Sequence, residues 1–571
     1  MEKIWLNSFP PGVPAEVDVS EFKSLRDMLE WGCERYADLP AFSNQHTEMS
    51  YRELDTLSNA FASYLQNFLY LNKGDRVALM MPNLLQYPVA LFGVLRAGCV
   101  VVNTNPQYTA RELHHQLVDS GAVCIVILEN FAHTLEEALP GSSVQHVITS
   151  RVGDLFHFPK AQIVNFVVEH VRKIVPDWHI DNAIPFPEAL QLGANIVTIE
   201  NEVEANDIAF LQYTGGTTGT PKGAILTHGN IVANLLQISA WISTALKERE
   251  EIAVIPLPMY HIFSLIAVLT FFRFGAKSIL ITNPRDMDGF IKEIRHSKFS
   301  VIIGVNTLFN ALLHAPHVSE IDTSRLKVAI AGGMAVQYAV AKKWHELFGV
   351  PLIEGYGLTE ASPIACANRL DIEEFTGTIG LPISSTEVSL RDEAGQEVPV
   401  GDLGEICIRG PQIMKGYWKK PEESANVFIG DGWMRTGDLG SMDEHGYIKL
   451  VDRKKDIIIV SGFKVFPNEV EQVVMMINGV LEVAAVPAYD ERSGHVVKIV
   501  VVTNNPGVTE YQILDHCRKN LTGYKVPKHV VLRDQPLPKS PVGKVLRRLV
   551  AEQFSAAPVQ NKSAESAINS T

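Results

Sequence analysis

The sequence predicts an α/β protein: a large N-terminal region of two doubly wound subdomains plus a small β-barrel, followed by a mobile α+β C-terminal domain. Three observations support this fold class. Short β-branched runs alternate with helical patterns up to about residue 450, apolar and polar residues alternate after Glu387, and the composition changes near Asp452. Near-continuous apolar strands with intervening helices are typical of parallel sheets covered on both faces.

The strands of the N-terminal region are predicted at short apolar runs that end in polar residues or proline. A run from Arg76 ends at Pro82 and precedes a helical stretch that continues to Arg96. Runs of the same kind begin at Val100, Val123, His146, Asp207, Ser278, Val301 and Leu326. Between 387 and 416, the alternation with Gly and Pro turns indicates a small antiparallel barrel or a distorted sheet.

The C-terminal domain is predicted from a second set of elements. A charged segment, DRKKD, begins at Asp452 and precedes a strand. It is followed by an amphipathic helix from Asn468, strands at 483–486 and 496–502, and a helix from Thr509. These elements suffice for a separate domain of ~100 residues. We therefore place the two domains at 1–452 and 453–554, with a polar tail at 555–571 that is expected to be disordered.

Composition and charge exclude several classes of function. The 50 basic and 64 acidic residues give a net charge of −14, which repels a nucleic-acid backbone but still permits phosphate binding at one local site. The six cysteines include no C-x-x-C pair, so we expect neither a disulfide scaffold nor a zinc site. The first residues do not resemble a secretion signal. We therefore expect a cytoplasmic protein.

One uncharged stretch, residues 252–272, is long enough to suggest a membrane span. Pro256, Pro258, Tyr260 and His261 interrupt its first half. The remaining ~14 apolar residues are too few for a span and predict a buried core helix.

The most informative segment is YTGGTTGTPKG at 213–223, which follows a predicted strand and precedes a helix expected to start near His228. Glycines leave backbone N–H groups open to phosphate oxygens, and threonine hydroxyls add donors. Lys222 adds a point charge for a polyphosphate. The spacing differs from the pattern G-x-x-x-x-G-K-[ST], because no glycine directly precedes the lysine. We therefore predict a phosphate site that is not an ordinary P-loop.

This segment resembles the phosphate-binding signature of the adenylate-forming superfamily, which includes acyl-CoA synthetases, luciferases and the adenylation domains of peptide synthetases. Further motifs resemble those of the family in the correct order: GYGLTE at 355–360, WMRTGDLG at 433–440, VDRKKD at 451–456 and PKSPVGK at 538–544. The stretch 431–456 is similar to the signature of fatty-acid ligases. The resemblance extends over nearly the full chain and is closest to bacterial long-chain fatty-acid–CoA ligases.

The resemblance implies a ligase that works in two steps. ATP and a long-chain fatty acid give acyl-AMP and pyrophosphate, and CoA then gives acyl-CoA and AMP, feeding fatty-acid degradation. Medium-chain or aryl acids are alternative substrates, and a non-catalytic acyl- or nucleotide-binding protein on the same fold is an alternative of a different class. Mg²⁺ is the implied cofactor. A homodimer and peripheral contact with the cytoplasmic face of the membrane are both compatible with the resemblance.

The resemblance also assigns the ATP and AMP site. Asp438 and Arg453 are expected to hold the ribose, as a carboxylate can accept hydrogen bonds from both ribose hydroxyls. Tyr356 is expected to lie against the adenine. The other residues of this predicted site are Tyr213, Thr214, Gly215, Gly216, Thr217, Thr218, Gly219, Thr220, Pro221, Lys222, Gly223, Ala224, Gly332, Gly333, Glu354, Gly355, Gly357 and Thr359.

Four residues are the implied catalytic set. Glu360 is expected to bind Mg²⁺, Thr359 to donate to the α-phosphate and His261 to lie beside the acyl carboxylate. Lys544 is expected to bridge the carboxylate and the α-phosphate, which suits a mobile point charge with three donors. Lys455 is the implied pivot about which the C-terminal domain rotates between the two steps.

An acyl tunnel is implied along the apolar run 262–272. Leu265, Gly304, Val305 and Met334 are its expected lining residues. Leu265 stands where the family has an aromatic residue that gates the tunnel. The sequence therefore does not show which residue would close the tunnel.

Residues 160–175 have a helical pattern with an apolar face. Ile163, Val167, Val171 and Ile174 share that face, and Lys160, Arg172 and Lys173 add a cationic side. The pattern fits a buried amphipathic helix or a helix that lies at a membrane surface.

Overall fold

The computed structural model describes residues 3–214, 221–490, 494–540 and 543–554. The chain forms two compact units. The larger unit contains the residues up to Thr436 together with Gly440–Leu450. The smaller unit contains Gly437–Leu439 and the residues from Val451 onward. The predicted tail at 555–571 lies outside the described residues.

The strands of the described residues are numbered here in chain order. Those of the first half are β1 (Pro40–Asn44), β2 (Thr47–Ser50), β3 (Arg76–Met80), β4 (Val100–Asn103), β5 (Cys124–Leu128), β6 (His146–Ser150), β7 (Ile184–Pro185), β8 (Ile208–Thr214), β9 (Lys222–Thr227), β10 (Ile252–Ile255) and β11 (Lys277–Leu280). The later ones are β12 (Val301–Gly304), β13 (Val328–Ala331), β14 (Leu352–Gly357), β15 (Ile364–Ala367), β16 (Leu381–Pro382), β17 (Glu387–Arg391), β18 (Gly404–Arg409), β19 (Phe428–Ile429), β20 (Trp433–Met442), β21 (Ile448–Arg453), β22 (Ile458–Val460), β23 (Phe463–Val465), β24 (Val480–Asp490), β25 (Gly494–Thr503) and β26 (His529–Arg533).

The α-helices are numbered in the same way. They are α1 (Leu25–Arg35), α2 (Tyr51–Asn67), α3 (Gln86–Arg96), α4 (Ala110–Ser120), α5 (Ala132–Ala138), α6 (Lys160–Phe166), α7 (Phe186–Gly193), α8 (His228–Ile242), α9 (Ile262–Arg273), α10 (Met287–Ile294), α11 (Asn306–Leu313), α12 (Tyr338–Phe348), α13 (Pro421–Val427), α14 (Pro467–Met475), α15 (Glu510–Asn520) and α16 (Arg547–Phe554).

A seven-stranded sheet forms one layer of the larger unit, in the order β7-β6-β5-β3-β4-β8-β9. Its pairs are parallel except for β8 with β9. β3 and β5 are almost completely buried, as expected for strands of a doubly wound sheet. The apolar runs at Arg76, Val100, Val123 and His146 correspond to β3, β4, β5 and β6, so these predictions are confirmed.

A nine-stranded sheet forms the second α/β layer, in the order β16-β15-β14-β13-β12-β10-β11-β1-β2. Its central pairs are parallel, and both ends are closed by antiparallel pairs. The runs predicted at Ser278, Val301 and Leu326 lie in β11, β12 and β13. The larger unit therefore contains the two doubly wound sheets that the sequence predicts.

The uncharged run that follows His261 forms the core helix α9. Every residue from Ile262 to Phe272 is buried, as predicted. Across the described ranges, each helix is too short or too polar to span a bilayer.

The alternating stretch after Glu387 forms part of a five-stranded sheet. The strands follow the order β17-β18-β20-β19, with β21 beside β20. β17 and β18 pair antiparallel from Glu387 opposite Arg409 to Arg391 opposite Glu405. For this stretch the sequence predicted either a small barrel or a distorted sheet. The structure has a five-stranded sheet here.

The smaller unit is an α+β layer. Its sheet follows the order β23-β22-β25-β24, with β26 parallel to β25. β24 and β25 form a long antiparallel pair, from Val480 opposite Thr503 to Asp490 opposite Gly494. Val474 of α14 and Ile513 of α15 pack with Ile499 of β25 in a separate hydrophobic core. A C-terminal α+β unit is thus confirmed.

The segment predicted as one helix at 160–175 is shorter and less regular. α6 ends at Phe166, and a π-helical turn covers Val167–Val171. Lys160 does not lie on a cationic face, because its ammonium donates to the Gln45 carbonyl and to Thr47 Oγ1, the latter at 2.8 Å. Several large apolar side chains are exposed, and we call them the 158–174 patch: Phe158, Ile163, Phe166, Val171 and Ile174.

The six cysteines all lie in the described part of the chain. Each is buried, and none of them forms a disulfide.

Candidate active site

The predicted phosphate segment joins β8 to β9, an antiparallel pair in which Thr214 lies opposite Lys222. Gly215, Gly216, Thr217, Thr218, Gly219 and Thr220 lie outside the described residues. β9 leads directly into α8, whose N-cap Thr227 and Asn230 form a capping box. The predicted helix start at His228 is therefore confirmed, although the sequence did not predict the strand between the segment and the helix.

Lys222 is held by two neighbours in the larger unit. Its ammonium forms an ion pair with Glu423 and lies 5.1 Å from the centre of the Tyr417 ring. A third of its side chain is exposed to solvent. The cation predicted to bind a polyphosphate is thus paired with a carboxylate, which an incoming phosphate would have to displace.

Tyr213 is the next-to-last residue of β8, and its hydroxyl is hydrogen-bonded. The hydroxyl donates to Asp119 Oδ2 at 2.6 Å, and burial raises the pKa of the phenol well above its usual value. The ring packs over Gly223, where a Cβ would lie 3.2 Å from the ring carbons. Tyr213 and Gly223, the first and last residues of the segment, are therefore in close contact.

Glu360 lies in a short turn after β14. The end of β14 lies close to Pro363, because a Cβ at Gly357 would overlap the Pro363 carbonyl oxygen, and only glycine fits there. The Glu360 backbone carbonyl accepts from the Met414 N–H at 2.8 Å, and its carboxylate Oε1 accepts from the Tyr417 hydroxyl at 2.7 Å. The predicted metal ligand and the predicted phosphate lysine thus share Tyr417 as a neighbour.

The glycines predicted at the floor of the adenine pocket come together at the ends of two adjacent parallel strands. Gly332 follows β13, and Gly355 lies in β14. A Cβ at Gly332 would lie 3.1 Å from the Phe263 ring and 3.4 Å from the Gly355 carbonyl oxygen. Crevices at the carboxyl ends of parallel strands are the usual ligand sites of open α/β sheets.

Glu354 is a buried carboxyl at this floor. Burial raises its pKa to about 8, although the Val336 N–H donates to Oε1 at 3.2 Å and opposes the rise. The buried site therefore favours the protonated form of this carboxyl. Tyr356 follows in the same strand and is also buried.

His261 ends a loop that buried amides hold in place. Asn83 donates to the carbonyls of Ile255 and Leu257 at 3.1 and 2.8 Å, and it accepts from the Met259 N–H at 2.8 Å. The imidazole caps α9, because its Nδ1 accepts from the Phe263 N–H at 3.4 Å.

The same loop is tied to the phosphate strand. Gln212 of β8 donates to the Tyr260 carbonyl at 2.7 Å. The structure thus brings the residue before His261 into contact with the strand that leads to the phosphate segment.

Two of the predicted tunnel residues, Val305 and Met334, lie next to Gly333 of the predicted adenine floor. A Cβ at Gly333 would lie 3.7 Å from Val305 Cγ1, and one at Gly304 would lie 2.9 Å from the Phe309 ring. Leu265 is fully buried in the core, whereas Met334 is partly buried. Their role in binding an acyl chain stays a prediction.

The smaller unit brings three predicted residues together. Arg453 Nε lies 3.2 Å from Asp438 Oδ1, and Asp438 is 6% exposed. The Lys544 ammonium interacts electrostatically with both Arg453 and Asp438. Burial of its ammonium, together with the nearby charge of Arg453, lowers its pKa to about 8, and Asp438 opposes the change.

Lys544 stands in a tight loop before α16. Its N–H donates to Ser540 Oγ at 3.1 Å, and its carbonyl accepts from the Ser540 N–H at 2.8 Å. Three residues later, Arg547 donates to Glu471 at 2.7 and 2.9 Å and to Asp452 and Asp456 at 3.2 and 3.3 Å. These ion pairs fix the loop relative to the charged segment that follows β21.

Lys455, the predicted pivot, lies in that charged segment. A single turn of 3₁₀-helix covers Lys454–Asp456, and Lys455 is exposed within it. The turn is a short connection between β21 and β22, and its role as a hinge stays a prediction.

Sequence reasoning missed Tyr417, Glu423 and Arg547. Glu423 follows Pro421 in the first turn of α13, a pattern that indicates only the start of a helix. Tyr417 lies 57 residues from Glu360, and Arg547 lies 76 from Glu471. No local spacing signals such contacts.

Comparison with known proteins agrees with this geometry. A model of the AMP-binding enzyme family matches residues 29–418, and a model of the AMP-binding enzyme C-terminal domain matches residues 469–544. The chain belongs to the AMP-binding enzyme family, and the resemblance inferred from the motifs is confirmed.

A similar relative is the long-chain-fatty-acid–CoA ligase of Escherichia coli O6:H1. The two chains are 52% identical over 563 residues, which is 98% of this chain and 100% of the relative. Among solved structures, a Mycobacterium tuberculosis fatty acyl CoA synthetase is 27% identical, with a TM-score of 0.68 over 93% of this chain and 98% of that one. An anthranilate CoA ligase in complex with anthranoyl-AMP has a TM-score of 0.82 over 94% of this chain and 99% of that one; at 23% identity it shares the fold.

Proposed function

We propose that this chain is an ATP-dependent long-chain fatty-acid–CoA ligase. The observation that carries the proposal is its 52% identity, over 98% of this chain and 100% of the relative, to the Escherichia coli ligase of that name. The chain would convert a fatty acid to acyl-AMP with release of pyrophosphate, and then transfer the acyl group to CoA with release of AMP.

The first step needs positive charge, because a carboxylate must approach a polyphosphate. Lys222 is suited to the β- and γ-phosphates once it leaves Glu423, since both side chains are about one-third exposed. Lys544 is suited to the point where the carboxylate meets the α-phosphate. Asp438 and Arg453 lie in the same unit as Lys544 and would hold the ribose.

Glu360 fits a magnesium ion. Among the described residues, only Oε1 of its two carboxylate oxygens receives a hydrogen bond, which leaves Oε2 for a cation. Within the described ranges no group of three or more His, Cys, Asp or Glu side chains is placed to hold a metal. A single carboxylate with phosphate oxygens and water is the ligand set that Mg²⁺ prefers. When bound, the ion would neutralise charge that develops on the phosphates.

The second step needs a path for the CoA thiol. Lys544 would obstruct a CoA thiol that approaches from the side of the C-terminal domain. One orientation of that domain therefore does not suit both steps. Rotation about Lys455 would remove Lys544 after adenylation. The exposed turn Lys454–Asp456 supports this assignment, since Lys454 and Lys455 are not packed in a hydrophobic core.

The 158–174 patch supports peripheral contact with the cytoplasmic face of the membrane. Its five large apolar side chains are each more than half exposed. Arg172 and Lys173 are exposed beside them and would favour anionic lipid. Such contact suits an enzyme whose substrate is poorly soluble in water.

Fatty-acid-dependent release of pyrophosphate tests the proposal. The purified chain is incubated with ATP, Mg²⁺ and saturated fatty acids of increasing length. Medium-chain and aryl acids are assayed separately as the alternative substrates. We expect release and acyl-CoA formation to be fastest with long chains. Preference for an aryl or medium-chain acid would assign another ligase activity, and no release with any acid would indicate a binding protein.

A further inference from the structure

Tyr417 lies in a segment that pairs with the edge of β9. The Ile225 N–H donates to the Gly416 carbonyl at 2.9 Å, and the Trp418 N–H donates to the Gly223 carbonyl at 2.8 Å. Tyr417 itself lies opposite Ala224 in an antiparallel bridge. This backbone ladder places Tyr417 directly beside Lys222.

The side chain of Tyr417 contacts two groups of the predicted phosphate end. Its hydroxyl donates to Glu360 Oε1 at 2.7 Å, and the Lys222 ammonium lies 5.1 Å from the centre of its ring. An ammonium at this distance from an aromatic ring is attracted by the ring's electron density. One side chain therefore connects the predicted metal ligand to the predicted phosphate lysine.

The position of Tyr417 is fixed from both sides. Its N–H donates to Ser424 Oγ at 2.8 Å, and the Trp418 indole donates to the Asp119 carbonyl at 3.0 Å. Gly416 before it has a φ of 144°, and a Cβ there would lie 2.9 Å from Ser424 Oγ. These contacts hold the backbone of Tyr417 in place beside β9.

We propose that Tyr417 is a positioning residue for the adenylation step, an inference that rests on the proposed function. The hydroxyl holds Oε1 of Glu360, which would leave Oε2 in one orientation for a bound cation. The ring keeps the Lys222 ammonium near the same point after Glu423 is displaced. Tyr417 thus acts through Glu360 and Lys222 and touches no reacting atom.

Nucleotide binding separates this role from simple packing. The probe is the α,β-methylene analogue of ATP, which cannot release pyrophosphate, titrated calorimetrically with Mg²⁺ or with EDTA. Because the hydrogen bond to Glu360 is charge-assisted, Tyr417→Phe should weaken binding about tenfold with Mg²⁺ and leave metal-free binding unchanged. Equal binding by Tyr417→Phe and the parent chain, or equal weakening with and without Mg²⁺, would overturn the proposal.

A double-mutant cycle tests whether Tyr417 acts through Glu360. If it does, Glu360→Gln and the double variant should bind the Mg²⁺ complex of the analogue equally weakly. Additive losses would mean that Tyr417 acts independently, and the proposal would be wrong. Tyr447→Phe removes another partly buried tyrosine hydroxyl of the larger unit and serves as the control, with unchanged binding.

Kinetics supply a second readout. Tyr417→Phe should raise the Mg²⁺ concentration for half-maximal pyrophosphate release several-fold, while thioester formation from synthetic acyl-AMP and CoA keeps its rate. An equal loss in both steps would assign Tyr417 to general stability. The calorimetric cycle uses no fatty acid, so its outcome is independent of whether the chain proves to be a fatty-acid ligase.

Discussion

Arg547 and Glu471 form a two-point contact, with Nη2 2.7 Å from Oε2 and Nε 2.9 Å from Oε1. The pair joins the start of α16 to α14. Asp452 and Asp456 approach the same guanidinium, and these carboxylates raise its pKa further above the usual arginine value despite its burial. Lys544 lies three residues earlier, so this cluster anchors the helix that follows the predicted catalytic lysine.

Arg547→Met should destabilise the smaller unit by about 3 kcal/mol, because removal of one partner leaves buried carboxylates unpaired. Asp452 is fully buried and Glu471 is 15% exposed. Amide hydrogen exchange in β24 and β25 measures the loss, and we expect exchange about a hundredfold faster. The neighbouring variant Arg548→Met removes an exposed ion pair with Glu552 and should change exchange little. Similar exchange in both variants would contradict a structural role for Arg547.

Lys544→Ala should abolish most acyl-AMP formation and spare the second step. Its charge is needed where the carboxylate meets the α-phosphate, whereas the thiol attacks an uncharged acyl carbon. Pyrophosphate release measures the first step, and synthetic acyl-AMP with CoA isolates the second. Lys519→Ala, at an exposed lysine of α15, is the control and should leave both rates unchanged. If thioester formation from acyl-AMP falls as far as the overall rate, the assignment of Lys544 is wrong.

The adenylation rate should fall as the pH rises through about 8. Burial and Arg453 lower the pKa of Lys544 to about 8, so its ammonium is present below that pH and is lost above it. A lysine of ordinary pKa would keep its charge to about pH 10. Lys544→Arg keeps a cation at every pH in this range, so its lower rate should show no decline near pH 8. A decline that persists in Lys544→Arg would assign the titration to another group.

Local pattern predicts much of the fold. The apolar runs of β3, β5 and α9 are nearly continuous, and all three elements are buried. Such runs can be recognised from the local sequence alone. At 160–175 the pattern predicted one helix, but α6 gives way to a π-helical turn after Phe166, and Lys160 turns to Gln45 and Thr47. These departures depend on tertiary contacts.

The site is predicted only in part. Glu360 and Lys222 lie in motifs, whereas Tyr417, which contacts both, lies in none. The contact requires the segment around Tyr417 to pair with β9, and the residues of that ladder are far apart in the sequence. Motifs identify groups that perform chemistry, but they do not identify the side chains that hold those groups in place.

Phe166→Asp with Val171→Asp should abolish binding to vesicles of phosphatidylcholine and phosphatidylglycerol. Both side chains are about 60% exposed, and burial of each in lipid would contribute about 1.5–3 kcal/mol. Flotation of the folded protein measures the effect. Leu347→Asp, at an exposed apolar residue of α12, is the control. Flotation unchanged by the double variant would remove the 158–174 patch as the membrane contact.

Lys455→Pro should leave acyl-AMP formation and slow thioester formation. A pivot must change φ and ψ, whereas proline fixes φ near −65° and restricts the residue before it, here Lys454. Lys455→Ala removes the same charge but keeps backbone freedom, so it separates the hinge from the surface charge. Single-turnover measurement of both steps decides between them. Equal slowing of both steps by proline, or the same slowing by alanine, would leave Lys455 without a hinge role.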